Sequence, residues 1–192
     1  TRSPAPKPIQ TARLDVPRLF AVSPAAAVGA PMAALANASF WAMGPVYALR
    51  LGYDAPTIAA FMSAAILGAA ALQWPIGWIS DRIDRRKVMI GASALGALSA
   101  FALAQFGAVS SFWLIALGAC VGAFIIPMFG LCAAHANDHA DPDTAVATNG
   151  GLLLLHGLGS VAGAAAGGAI IALAGPGSLF DYIGAIYIGL AG

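Results

Sequence analysis

Three stretches of this chain hold residues whose types and spacing could do chemistry. In Gly77-Trp78-Ile79-Ser80-Asp81-Arg82-Ile83-Asp84-Arg85-Arg86-Lys87, two carboxylates stand among four cations. Charges at a helix end can pair with a neighbouring helix or face a helix dipole, forming in one conformation and breaking in another. The plainer reading is a loop that only sets topology. The second group is His156 with Asn149, seven apart and so on one helical face. His156 lies about 18 Å along a helix from Thr144, which predicts a position near mid-membrane if that run spans a bilayer. There it could bond a solute, carry a proton, or bond a neighbouring helix as a neutral packing residue. The third is His135-Ala136-Asn137-Asp138-His139-Ala140-Asp141-Pro142-Asp143. His135 and His139 could share a metal on a helix, making a membrane-embedded His/Asp metalloenzyme. However, His-Glu-x-x-His is absent, and no Ser or Cys nucleophile pattern lies beside them. The favoured account makes Asp141 a helix N-cap before Pro142, with Asp138 and Asp143 pairing with Arg85 or Arg86. No metal or other cofactor is expected.

The elements that must carry these groups are set by where charge is missing. Of 192 residues, 60% are hydrophobic and 9% charged, against about 25% charged in soluble domains. So much apolar surface could not be hidden from water in a chain of this size. The net charge is +1, with no Glu and no basic patch large enough for nucleic acid, which is therefore not an expected partner. Uncharged gaps run from Arg18 to Arg50, Asp54 to Asp81, Lys87 to Asp138 and Asp143 to Asp181. A spanning helix needs about 20 apolar residues. The gaps therefore predict an all-α, polytopic transmembrane bundle, with spans at 20–48, 57–79, 88–107, 112–134 and 144–174. A shorter sixth, 179–192, follows the turn signal Gly175-Pro176-Gly177. The runs are continuous rather than alternating, which favours helices over a barrel. Residues 1–18 read as a basic arm. That arm and the 81–87 loop hold nearly all the Lys and Arg, which places both in the cytoplasm. Cys120 and Cys132 are too far apart on one helix to bridge.

The loop between the second and third spans resembles the cytoplasmic loop of the major facilitator superfamily, Gly-x-x-x-Asp-Arg-x-Gly-Arg-Arg/Lys. Gly77, Asp81, Arg82, Arg85 and Arg86 match it; Asp84 stands where that pattern has its second Gly. The resemblance implies a conformational gate in which Gly77 lets helices approach and the arginines bridge to a neighbour. It also implies twelve helices in two halves, with this chain the carboxy-terminal half and 1–18 the end of the central linker. The amino-terminal half of the same polypeptide, membrane lipid and a small solute would be its partners. The site would be multi-pass integral membrane, in a bacterial cytoplasmic (inner) membrane. In that family the first, second, fourth and fifth helices of each half line the cavity, which points to Asn37, Trp41, Asn149 and His156. Tyr47, near the outer end, reads as an interface-belt aromatic.

An inverted three-plus-three repeat is expected from Pro45-Val46-Tyr47-Ala48-Leu49 against Pro127-Met128-Phe129-Gly130-Leu131, and from Leu67-Gly68 against Leu158-Gly159. Gly159, Gly163, Gly167 and the Gly118/Gly122 pair read as close-packing ridges. The leading function is secondary active or facilitative transport of a small solute by alternating access. The alternative is a non-transporting membrane sensor or assembly protein on the same scaffold.

Overall fold

The computed structural model describes residues 16–141 and 144–192, and every regular element among them is helical. The elements are α1 Val16–Val22, α2 Pro24–Arg50, α3 Ala55–Ser80, α4 Arg85–Phe106, α5 Ser111–Ile125, α6 Met128–His139, α7 Ala145–Ala174 and α8 Ser178–Ala191. Among the described residues, α2, α3, α4, the α5–α6 segment Ser111–His139 and α7 are each long and apolar enough to cross a bilayer. α8 is a shorter apolar helix. Helices thus lie where the spans are predicted, with ends shifted by a few residues. Most of the arm 1–18 lies outside the described residues.

Two breaks were not foreseen, and both have local causes. The first apolar run starts as the separate helix α1. Ser23 then takes φ −151°, and its hydroxyl accepts from Ala26 N at 3.3 Å. With Pro24 at the first helical position this is a new N-terminus, so the spanning helix begins at Pro24 rather than at 20. The fourth span is broken between α5 and α6. Pro127 has no N–H to give the Ala123 carbonyl, and its ring crowds that carbonyl. Pro31, Pro45 and Pro75 lie inside unbroken helices. The Pro45 and Pro127 segments, alike in sequence, therefore sit in different backbone settings.

Three helix pairings dominate the packing: α2 with α7, α3 with α5, and α4 with α8. Glycine makes the first two possible. A Cβ on Gly159 would collide with the Pro31 backbone, and one on Gly163 with the Leu35 backbone. In the second pairing, Gly122 abuts the Ala65 backbone and Gly68 the Ala119 backbone. Residue numbers rise together from Pro31–Gly159 to Leu35–Gly163 and from Phe61–Gly118 to Ala65–Gly122, so each pair runs parallel. In the third, Gly96 meets Tyr187 and Gly184 meets Phe101, so α4 and α8 run antiparallel. Exchanging spans one, two and three for four, five and six carries the first pairing onto the second and returns the third to itself. An inverted repeat requires this relation. Gly68 and Gly159, the fainter sequence match, make corresponding contacts.

Polar side chains buried between helices find carbonyls. Ser39 Oγ donates to Gly163 O at 2.7 Å, and Tyr187 Oη to Ile125 O at 3.1 Å beside the α5–α6 break. Tyr47 is 1% exposed, donates to Leu103 O at 2.9 Å and packs edge-on to Phe180. It is therefore an interhelical tie, not the belt aromatic expected from its position near a helix end.

Replacing Gly163 by Val should lower the stability of the detergent-solubilised protein by about 1–3 kcal/mol or more, the usual cost of overpacking. Gly157→Val, at a position whose Cβ meets nothing within 4 Å, should leave it unchanged. Equal melting temperatures for the two variants would refute the backbone contact.

Candidate functional site

The charged loop folds around Arg85. At the end of α3, Asp81 closes the helix, its N–H bonded to Gly77 O. Asp84 starts α4: its side chain accepts from Arg86 N at 3.0 Å. Asp84 has φ −52°, so the turn uses no left-handed residue and the family's Gly is not needed there. Asp instead supplies a helix cap.

Arg85, in the first turn of α4, spreads its guanidinium over three acceptors on two helices. Nε donates to Asp138 Oδ2 at 2.7 Å, Nη2 to Asp81 Oδ1 at 3.1 Å, and Nη1 to Ser80 Oγ at 2.6 Å. Its side chain is 15% exposed, against 67% for Asp81 and 49% for Asp138. An isolated exposed ion pair contributes about 0–1 kcal/mol. A shielded, planar fork filled by three acceptors is the stronger arrangement, and lysine cannot reproduce it. The Arg85–Asp138 pair is the bridge the sequence suggested. It joins α4 to α6, the segment beyond the Pro127 break.

The other loop residues act locally. Arg82 does not reach a neighbour: its guanidinium lies 3.7 Å over the Trp78 ring and donates to Trp78 O at 3.0 Å. Arg86 lines an open cleft of about 670 Å³ between the starts of α2 and α4 and the ends of α6 and α8. A Cβ on Gly77 would meet nothing within 4 Å, so Gly77 makes no close helix approach in this conformation.

The cavity candidates fall at several levels. The run of contacts Gly159–Pro31, Gly163–Leu35 and Gly167–Ser39 puts His156 level with the second turn of α2. Gly29 meets Cys132 and Met89 at that level, and Arg85 and Asp138 lie one to two turns below. His156 therefore stands about 7–10 Å from the Arg85 layer at 1.5 Å per residue, between that layer and the middle of α7. Its ring packs on Phe129 of α6 with centroids 4.2 Å apart, and its buried Nδ1 has no hydrogen-bond partner among the described residues. Asn37 Oδ1 is likewise buried and unpartnered. Register places it roughly two turns farther from Arg85 than His156, so the two are not brought together. Trp41 is 39% exposed and packs edge-on to Phe40. Asn149 is at the Arg85 layer. It exchanges side-chain hydrogen bonds with Asn137 at 2.8 and 3.4 Å.

Among the described residues, no three His, Cys, Asp or Glu side chains are placed to hold an ion. His139 Nδ1 lies 2.8 Å from His135 O. Asp141 does not cap α7, which starts after Thr144. Its carbonyl accepts from Thr144 N at 2.9 Å instead. Pro142 and Asp143, with the pairing expected of Asp143, lie outside the described residues. Asn137, Ser80 and Phe129 were missed as partners. Each is unremarkable alone, and only the approach of a second helix gives it a role.

Comparison with known proteins agrees with this layout. The model of the Major Facilitator Superfamily matches residues 26–192. Over 135 residues the chain is 32% identical to a protein of Bacillus subtilis (strain 168) described as "Uncharacterized MFS-type transporter YfkF". That match takes in 69% of this chain and 32% of the relative, so the chain spans about a third of the relative's length. The chain is a multi-pass integral membrane protein belonging to the major facilitator superfamily, a family of transporters rather than enzymes.

Proposed function

We propose that this chain is the carboxy-terminal half of a transporter that moves a small solute by alternating access, with the Arg85 cluster as its cytoplasmic latch. The observation that carries the reading is the single guanidinium shared by Asp81 at the end of α3 and Asp138 on α6. Its acceptors lie on separate helices, one of them beyond a proline break. Separation of the helix ends must therefore break it, and their return re-forms it. A tie made in one state and absent in the other biases the equilibrium between them. The basic loop puts this face in the cytoplasm by the positive-inside rule, and a bacterial inner membrane is the proposed location.

The solute path runs along the faces of α2 and α7 that bear Asn37, Trp41 and His156. Buried polar atoms without partners are costly, and among the described residues Asn37 Oδ1 and His156 Nδ1 are such atoms. A solute or water that bonds them would repay the cost. Among the described residues His156 is the only ionisable side chain on α7. It is the candidate in this half for a proton carried with the solute.

Arg85→Ala or Asp138→Asn should cut flux into vesicles about ten-fold or more, the scale of a charge-assisted hydrogen bond. Membrane insertion should be unaffected, and Arg85→Lys should fail to restore the rate. Wild-type flux in the Arg85→Ala variant would remove the latch. His156→Gln should flatten the pH dependence of flux, because a glutamine cannot carry the proton. An unaltered profile would exclude His156 as the proton carrier.

A further inference from the structure

The latch does not end at Asp138. Neighbouring helical residues point about 100° apart, and α6 uses this at its end: Asp138 is directed to Arg85 on α4, and Asn137 to Asn149 on α7. Asn149 Nδ2 donates to Asn137 Oδ1 at 2.8 Å, and Asn137 Nδ2 to Asn149 Oδ1 at 3.4 Å. Elsewhere α7 is held to α2 by Ser39 and Arg50, which donate to the Gly163 and Ile171 carbonyls. It is held to α8 by Ser178 at the far end. At the Arg85 end, the amide pair is its only side-chain hydrogen bond to another helix among the described residues. The polar belt thus runs without a gap from α3 and α4 through α6 to α7.

We propose that Asn137 and Asn149 are positioning residues for transport, tying α7, and the His156 it carries, to the Arg85 latch through the end of α6. This rests on the transport reading above. An outward swing of α6 about the Pro127 break must break both ties, because adjacent residues on one rigid turn hold them. The amide pair is neutral, so it bonds α6 to α7 without competing with Arg85 for Asp138.

A buried thiol reports the swing. Cys132 lies on α6, 0% exposed, against Gly29 of α2, and becomes reachable when α6 leaves. The test is the alkylation rate of Cys132 by a membrane-permeant maleimide, in the whole protein in native membranes with its other cysteines replaced. Asn149→Ala and Asn137→Ala should each speed labelling about five-fold, the equilibrium effect of one lost hydrogen bond. Asn149→Asp loses the 2.8 Å bond but still accepts from Asn137 Nδ2, so its rate should fall between those of wild type and Asn149→Ala. A mere staple of the α6–α7 hairpin would lower the melting temperature in Asn149→Ala but leave labelling unchanged, and that result overturns the proposal. Equal acceleration by Asn149→Asp and Asn149→Ala would also overturn it. Faster labelling in a protein that moves no solute across vesicles would uphold the tie and defeat the transport reading.

Discussion

A peptide group in hydrocarbon has no water to bond, so each must be satisfied within the chain. The rest of this molecule follows from that constraint. It makes the spans helical. It also removes the hydrophobic force that would press helices together in water, leaving van der Waals contact and a few hydrogen bonds to do so. Glycines on α7 and α5 answer the first need by letting backbones touch. Ser39, Tyr47 and Tyr187 answer the second by bonding carbonyls of neighbouring helices.

The consequence is a division between firm and loose contacts. The pairs α2–α7, α3–α5 and α4–α8 pack along much of their lengths. Between α6 and α7 the contact is slight. It includes the tilted Phe129–His156 ring contact and the Asn137–Asn149 pair. Charges are confined to helix ends, where their hydration costs least to disturb. Firm pairs joined by sparse polar ties suit a cycle in which helices move as units and a few bonds decide which state is favoured. His156 Nδ1, unpartnered among the described residues, lies one to two turns from those ties, so the candidate solute group and the proposed latch share one end of the bundle.

Much of this architecture was legible in the sequence because the bilayer writes a strong signal. Long uncharged gaps fixed the spans, and Gly-rich spacing marked the tight contacts. The Arg85–Asp138 bridge was also foreseeable, since few acids lay within reach of the loop. What was hidden depended on register or on local backbone detail. Counting from Thr144 gave the height of His156 along α7, but α7 starts well before α2 along their shared direction, so only the partner contacts show that it lies level with the second turn of α2. Tyr47 looked like a belt residue because only distance from the helix end was visible, not the Leu103 carbonyl facing it. Arg82 could have bridged outward; the Trp78 ring one turn back captured it. Asn137 gave no signal alone, since an amide acquires meaning only when another meets it.

The central claim is that the helix ends around Arg85 separate and close during function. The most direct measurement is the spin-label distance distribution between positions 87 on α4 and 146 on α7, recorded on the whole protein in lipid nanodiscs. Two populations are expected, with Asp138→Asn moving weight to the longer distance. A single distance, the same in wild type and variant, would contradict the account.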